Sequence, residues 1–323
     1  MRRYVIRRLL QAILMLFIMS VAFFALLHSI PGGPAASIGA NNPHITAAQR
    51  KLILVRYGLD KPVPVQYVNW VTQALKGDFG ISLQTSLPVT QLMGGRIPAT
   101  LELFLTALLF ALVMAILLGV ISAVRQYSIT DYAITVLAYL GISMPIFWFA
   151  LVLQEIFGVQ LHLLPVFGRN SASTDGFTQL QIFEDYAVHL ILPALVLSLL
   201  YIATWSRYLR SSMLDVIKQD YVRTARAKGL SSRNVFFRHA LRNALIPLVT
   251  VVAISFGGIA GGAVVTETVF SWPGLGSLFF NSLGLPDYPV LLAYLMLGTA
   301  CVITFNLIAD ILYAIIDPRI RYS

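Results

Sequence analysis

Long apolar runs alternate with shorter polar stretches along the chain, and their lengths predict membrane-spanning helices. A span needs about 20 predominantly apolar residues, and the run from Leu9 to Ile30 supplies the first. Ala99–Val124, Tyr132–Phe157, Val188–Ser206, Ala244–Thr266 and Tyr288–Ile316 supply the rest. The pattern predicts an all-α, polytopic membrane protein with six transmembrane helices. The first run is longer than a signal-peptide core, so an uncleaved N-terminal helix is expected. Pro145 interrupts the third run and should kink it, because proline removes a helical hydrogen bond. In the fifth, Gly257, Gly258, Gly261 and Gly262 form two overlapping Gly-x-x-x-Gly pairs that would let another backbone approach closely.

The polar stretches divide the chain into residues 1–30, an N-terminal helix, and 31–98, an external segment too polar to span. Residues 99–316 then form a five-helix core that includes a loop at 207–243, and 317–323 are a short tail. Within the external segment, Thr46 and Gln49 have capping-box spacing, so a short helix from about Ala47 should end at Gly58. Pro64 suits the first turn of another helix that passes Tyr67 and Trp70 and stops by Gly77. A second external loop, Gln160 to Ala187, holds Asp175, Glu184 and Asp185.

Charge then predicts orientation. With both termini cytoplasmic, Arg2, Arg3, Arg7, Arg8, Arg125, the basic cluster of 207–243, Arg319 and Arg321 all fall inside. The short external loops keep Arg169 against Asp175, Glu184, Glu267 and Asp287, which follows the positive-inside rule. Asp310 falls one to two turns from the inner end of its helix, where pairing with a cytoplasmic arginine is expected.

The most basic stretch is Asp220 to Pro247, with Arg223, Arg226, Lys228, Arg233, Arg238 and Arg242. Leu214, Ile217, Tyr221 and Ala225 recur at helical spacing, so one helix face is apolar while Arg223 and Arg226 point elsewhere. Gly229 should stop this helix in a left-handed C′ conformation, and Ser231 or Ser232 should cap the next. Charge alone fits a solvated basic loop near anionic lipid better. Glu267 lies beside an apolar helix end, where a carboxylate is costly unless wet or paired. It is either a functional group or the cap of its own turn.

Composition excludes most other classes. Of 323 residues, 58% are hydrophobic and 11% charged, more apolar surface than a soluble domain hides. A net charge of +9 could suggest nucleic acid, but the basic residues gather at the ends of apolar runs. Cys301 is the single cysteine, and the five histidines have no ligand spacing, so no metal site is expected. No lysine follows a glycine anywhere, which removes the phosphate-binding Gly-x-x-x-x-Gly-Lys pattern. Any ATP and Mg²⁺ would be bound by partner chains, with no cofactor on this one. Mid-span positions carry almost no Asp, Lys or Arg, which disfavours a secondary transporter, and no catalytic cluster suggests an enzyme.

Two strings carry a resemblance. Tyr221-Val-Arg-Thr-Ala-Arg-Ala-Lys-Gly-Leu230, followed by Arg238-His-Ala-Leu-Arg-Asn-Ala-Leu-Ile-Pro247, resembles the coupling loop of bacterial ATP-binding-cassette importer permeases. Arg223-Thr224-Ala225 replaces the Glu-Ala-Ala opening of the general motif, a departure that matches the peptide and nickel branch. Glu267-Thr-Val-Phe-Ser-Trp-Pro-Gly-Leu-Gly276 is very similar to peptide-class permeases, and Gly77-Asp-Phe-Gly80 and Met144-Pro-Ile-Phe-Trp148 look like the same branch. The resemblance implies a type I importer permease in the bacterial inner membrane. Its expected partners are a homologous second permease, two cytoplasmic ATPases and an extracytoplasmic binding protein. Tyr221, Arg223, Thr224, Ala225, Arg226, Lys228, Gly229 and Leu230 would contact an ATPase, with Tyr221 and Leu230 as packing anchors. Glu267, Phe270, Trp272, Pro273 and Gly274 would lie by the outer mouth of the pathway. Peptide is the implied cargo, with nickel or another metal complex as the alternative, and residues 31–98 would either dock the binding protein or form a lid.

Overall fold

The computed structural model describes residues 2–30, 33–34, 46–56, 58–259 and 263–316. Its helices, in chain order, are α1 (Arg2–His28), α2 (Ala47–Arg56), α3 (Val63–Ala74), α4 (Val89–Val124), α5 (Ile129–Ser143) and α6 (Ile146–Leu153). A π-helical extension, Gln154–Gln160, continues α6. Then come α7 (Gln179–Ile217), α8 (Asp220–Ala227) and α9 (Ser232–Ile259), the last with a π-helical stretch at Val235–Leu241. Last come α10 (Val264–Val269), α11 (Leu275–Gly284) and α12 (Tyr288–Ile316). Among the described residues there is no β-strand, only an isolated bridge between Ile81 and Pro88.

Helices α1, α4, α7, α9 and α12 are each long and apolar enough to span, and α5 with α6 makes a sixth, broken span. The break is sharper than a proline kink: α5 and α6 meet at 107°. Met144 and Pro145 are both extended, with ψ of 130° and 128°. Proline drives the residue before it out of the helical region, so Ser143 ends one helix and Ile146 starts another.

Three other boundaries differ from the sequence reading. Helix α4 starts at Val89 and carries Pro98 in its interior, although Gly94, Gly95 and Pro98 all read as loop. Val89 and Met93 are buried against Leu275, Val290 and Tyr294, and this packing overrides local propensity. Helix α7 runs well past the expected Val188–Ser206 at both ends, opening at Thr178 with a capping box to Gln181. At its far end the chain turns through Lys218 and extended Gln219, so Leu214 and Ile217 lie on a different helix from Tyr221 and Ala225.

The centre of the bundle is the α4–α7 pair, with α9 packed against both. Ala99, Leu103, Ala107, Ala111, Ala115 and Gly119 recur every fourth residue on the buried face of α4. Small residues at that spacing let backbones approach, which is how helices associate where lipid removes the hydrophobic drive. At Gly119 a Cβ would lie 2.8 Å from the carbonyl oxygen of Ser206, so α4 and α7 touch backbone to backbone there. Helix α1 is peripheral. Phe24 and Leu27 pack on Tyr288, Leu291 and Leu292 of α12, whereas Leu10, Ile13, Leu14 and Phe17 face outward.

Asp287 ties the segment after α3 to the start of α12, accepting from Ser82 Oγ at 2.5 Å and from the Leu83 N–H at 3.2 Å. Near the other end of α12, Asp310 pairs with Arg8 of α1 at 2.8 Å, as its place in the sequence predicts.

Candidate functional site

Two built features lie at opposite ends of the α4–α7 pair. The first is α8, whose Gln219-to-Leu230 surroundings make a short helical hairpin with the start of α9. Lys218 ends α7, and α8 then runs for two turns with Asp220 in its first turn, where a carboxylate favours the positive end of the helix. Gly229 has φ of +75°, and its N–H donates to the Arg226 carbonyl. The Ser231 hydroxyl accepts from the Asn234 N–H and starts α9.

Burial splits α8 into two faces. Val222 and Ala225 are buried against Val216 and Val235. Tyr221, Arg223, Thr224, Arg226, Lys228, Gly229 and Leu230 are all exposed. Of the residues predicted to meet an ATPase, Ala225 alone points inward and anchors the helix to its own chain. Tyr221 and Leu230 remain on the outer surface. Arg223 lies 3.7 Å from Asp220, but both are well exposed, so the pair adds little and leaves the guanidinium free to turn outward.

The second feature surrounds Glu267 on α10. The carboxylate is fully buried, with Oε1 accepting from the Thr100 hydroxyl at 2.8 Å and Oε2 from the Ser277 N–H at 2.9 Å. Thr100 in turn accepts from the Leu275 N–H at 2.7 Å, and the Trp272 indole donates to the Ala99 carbonyl at 2.8 Å. One carboxylate therefore caps the start of α11 while bracing α10 and α11 against α4. Phe270 and Trp272 are buried beside it, and Pro273 is partly so. Gly274 has no room for a side chain, because a Cβ would collide with the Glu267 carboxylate. Burial pushes the Glu267 carboxyl above its ordinary range, while the Ser277 N–H and Thr100 hydroxyl pull it down.

The loop after α6 joins this end: the Gly168 N–H donates to the Phe270 carbonyl at 2.8 Å. Nη2 of Arg169 then donates to both carboxylate oxygens of Glu102 on α4, at 2.6 and 2.8 Å, and the Tyr186 hydroxyl donates to the same carboxylate at 2.9 Å. These partners of Glu102 come from residues far away in the chain, so no local pattern announces them.

Of the four glycines expected to pack helices, Gly257 and Gly258 are described, and Gly261 and Gly262 lie outside the described residues. A Cβ on Gly257 would sit 3.3 Å from the Val302 backbone of α12, and one on Gly258 would touch the Phe104 ring. The backbone contact that sequence reasoning missed is Gly119, and the alanine repeat leading to it was the available signal. The tail from Asp317, with Arg319 and Arg321, is also outside the described residues.

Residues 115–322 match the family described as binding-protein-dependent transport system inner membrane component. Residues 1–104 match the N-terminal family of such membrane components. The chain is 43% identical to the oligopeptide transport system permease protein AppB of Bacillus subtilis, with both chains fully covered. It is 39% identical to the dipeptide transport system permease protein DppB of Escherichia coli K12, again over the whole of both. With full-length relatives, five to six spanning helices and matches over both halves, the chain belongs to the family of binding-protein-dependent transport system inner membrane components.

Proposed function

We propose that this chain is the membrane-spanning permease subunit of an ATP-driven importer that moves di- or oligopeptides into the cytoplasm. The observation that carries the reading is the two-faced α8: an apolar face fixed to the bundle and a basic, aromatic outer face left exposed. Such a helix suits a groove on a separate ATPase. The peptide cargo is favoured by the relatives, which are named for oligopeptides and dipeptides rather than nickel.

In this reading α8 lies on the cytoplasmic side, together with both termini, and the Glu267 region lies outside. Two ATPases bind ATP and Mg²⁺, a homologous second permease completes the pathway, and an extracytoplasmic binding protein delivers the peptide. ATP binding draws the ATPases together and moves α8. Because α8 packs on the ends of α7 and α9, its movement tilts the helices that form the bundle centre, which opens the Glu267 end. The differential affinity that alternating access needs comes from ATP on the partner chains, so this chain has no catalytic task of its own. Thr100, Glu267 and Trp272 keep α10 and α11 moving as one body with α4, and the Trp272–Gly274 turn frames the outer mouth.

Mild detergent extraction followed by an ATPase assay tests this. Two ATPases and a second permease should co-purify, and peptide presented by the binding protein should raise hydrolysis. A chain that purifies alone and moves solute into liposomes without ATP would overturn the proposal.

A further inference from the structure

A cleft of about 460 Å³ opens between α5 and α7, in the half of α7 nearer α8. Its lining is Thr135, Tyr139, Thr204, Arg207, Tyr208, Arg210 and Ser211, with no carboxylate among them. Arg207 stacks on the Tyr139 ring, 4.3 Å from its centroid, and among the described residues no acidic group pairs with it. The nearby Asp131 neutralises Arg210 and leaves Arg207 as the cation of the cleft. Both its oxygens are taken by Arg210, Ser122 and the Tyr127 N–H, and the side chain is 2% exposed. The lining is thus rich in donors and lacks an anionic acceptor.

Position says which anion fits. Arg207 precedes Arg210 by one helical turn and directly follows the apolar run Val188–Ser206, which puts it at the edge of that run on the side of α8. A lone cation at that depth is costly unless it reaches a headgroup. Beside the cleft, Val136, Leu137 and Leu140 of α5 expose a continuous apolar strip, which would accommodate an acyl chain. We propose that this cleft binds the phosphodiester of an anionic phospholipid, in the leaflet at the α8 end, with Arg207 as its principal contact. The lipid would fill the space between α5 and α7 and brace the first half of the broken span against α7.

The test uses the assembled complex, exchanged into phosphatidylcholine micelles and titrated with phosphatidylglycerol, with bound lipid counted by native mass spectrometry. R207Q should weaken phosphatidylglycerol retention about tenfold, the loss expected for one charge-assisted contact. R207K should fall between, since it keeps the charge but not the planar stack on Tyr139. Should R207Q fail to assemble, T135V/S211A leaves the cation in place and should still weaken retention about threefold. Equal retention by wild type and variants overturns the proposal. So does an R207Q complex that keeps its lipid but loses discrimination between free-acid and C-amidated peptides, which would make the cleft part of the cargo path. ATPase co-purification is scored on the same preparations, so a failure of the importer reading is seen separately from a failure of lipid binding.

Discussion

Arg210 on α7 clasps Asp131 on α5 through both carboxylate oxygens, Nε to Oδ1 and Nη2 to Oδ2, each at 2.7 Å. Ser122 of α4 donates to the same carboxylate, so three helices meet at one charge. The two partners are unequally placed: Arg210 is 26% exposed and Asp131 2%. Removing the arginine strands a buried anion, whereas removing the aspartate leaves a cation that can still turn toward the surface. R210M should therefore cost about 3 kcal/mol and D131N about 1–2 kcal/mol. Thermal loss of the monodisperse complex peak in detergent measures both. Equal losses, or the reverse order, would contradict the role assigned to burial.

Gly229 sets the angle between α8 and α9. A Cβ there would meet nothing within 4 Å, so any cost of substitution comes from its φ of +75° and not from crowding. A β-branched residue in that conformation costs at least about 1–2 kcal/mol, whereas asparagine tolerates it. G229V should leave the protein in the membrane and ATP hydrolysis running while peptide uptake is lost, and G229N should transport almost normally. Normal uptake by G229V would remove α8 from the coupling path.

Part of this architecture was legible in the sequence because the signals were local. Run length located the spans, Gly229 marked a helix stop, and the place of Asp310 near a helix end required a basic partner, which is Arg8. The missed features depend on contacts between distant residues. Glu184 and Asp185 read as loop, yet they lie within α7, where the Ser171 hydroxyl and N–H satisfy Asp185. Pro145 announced a kink, but a 107° turn needs Met144 extended as well, which sequence periodicity does not specify. Glu267 stands out as unusual in the sequence, but the hydroxyl that donates to it, on Thr100 far away on α4, is a contact no local pattern specifies.

The Arg8–Asp310 pair joins α1 to α12, yet its side chains are 43% and 32% exposed. Exposed pairs contribute less than about 1 kcal/mol, so D310A should barely shift the melting of the complex. Phe24 is a better anchor, because it is buried and also contacts the His28, Tyr67 and Trp70 rings. F24A should cost about 3 kcal/mol and loosen α1, measured as faster proteolysis between α1 and α4. If D310A proves the more damaging of the two, the ion pair is the true attachment.

Glu267 gives a pH signature. Its carboxyl is raised above the ordinary value of 4.5 by burial, with the Ser277 N–H and Thr100 hydroxyl opposing. A raised acid favours the folded state when protonated, so this contribution is complete below pH 4.5 and drains away as pH rises through the higher folded value. The amide of E267Q mimics the protonated acid, offering its oxygen to Ser277 and its N–H to Thr100. The variant should therefore match wild type in acid and gain on it as pH rises. G276A should destabilise at every pH, since its Cβ would come within 2.7 Å of the Val264 backbone whatever the charge on Glu267. Melting curves of the three complexes across the acidic to neutral range decide the matter. Parallel curves for wild type and E267Q would mean that the carboxyl titrates alike in the folded and unfolded chain, its donors balancing the cost of burial.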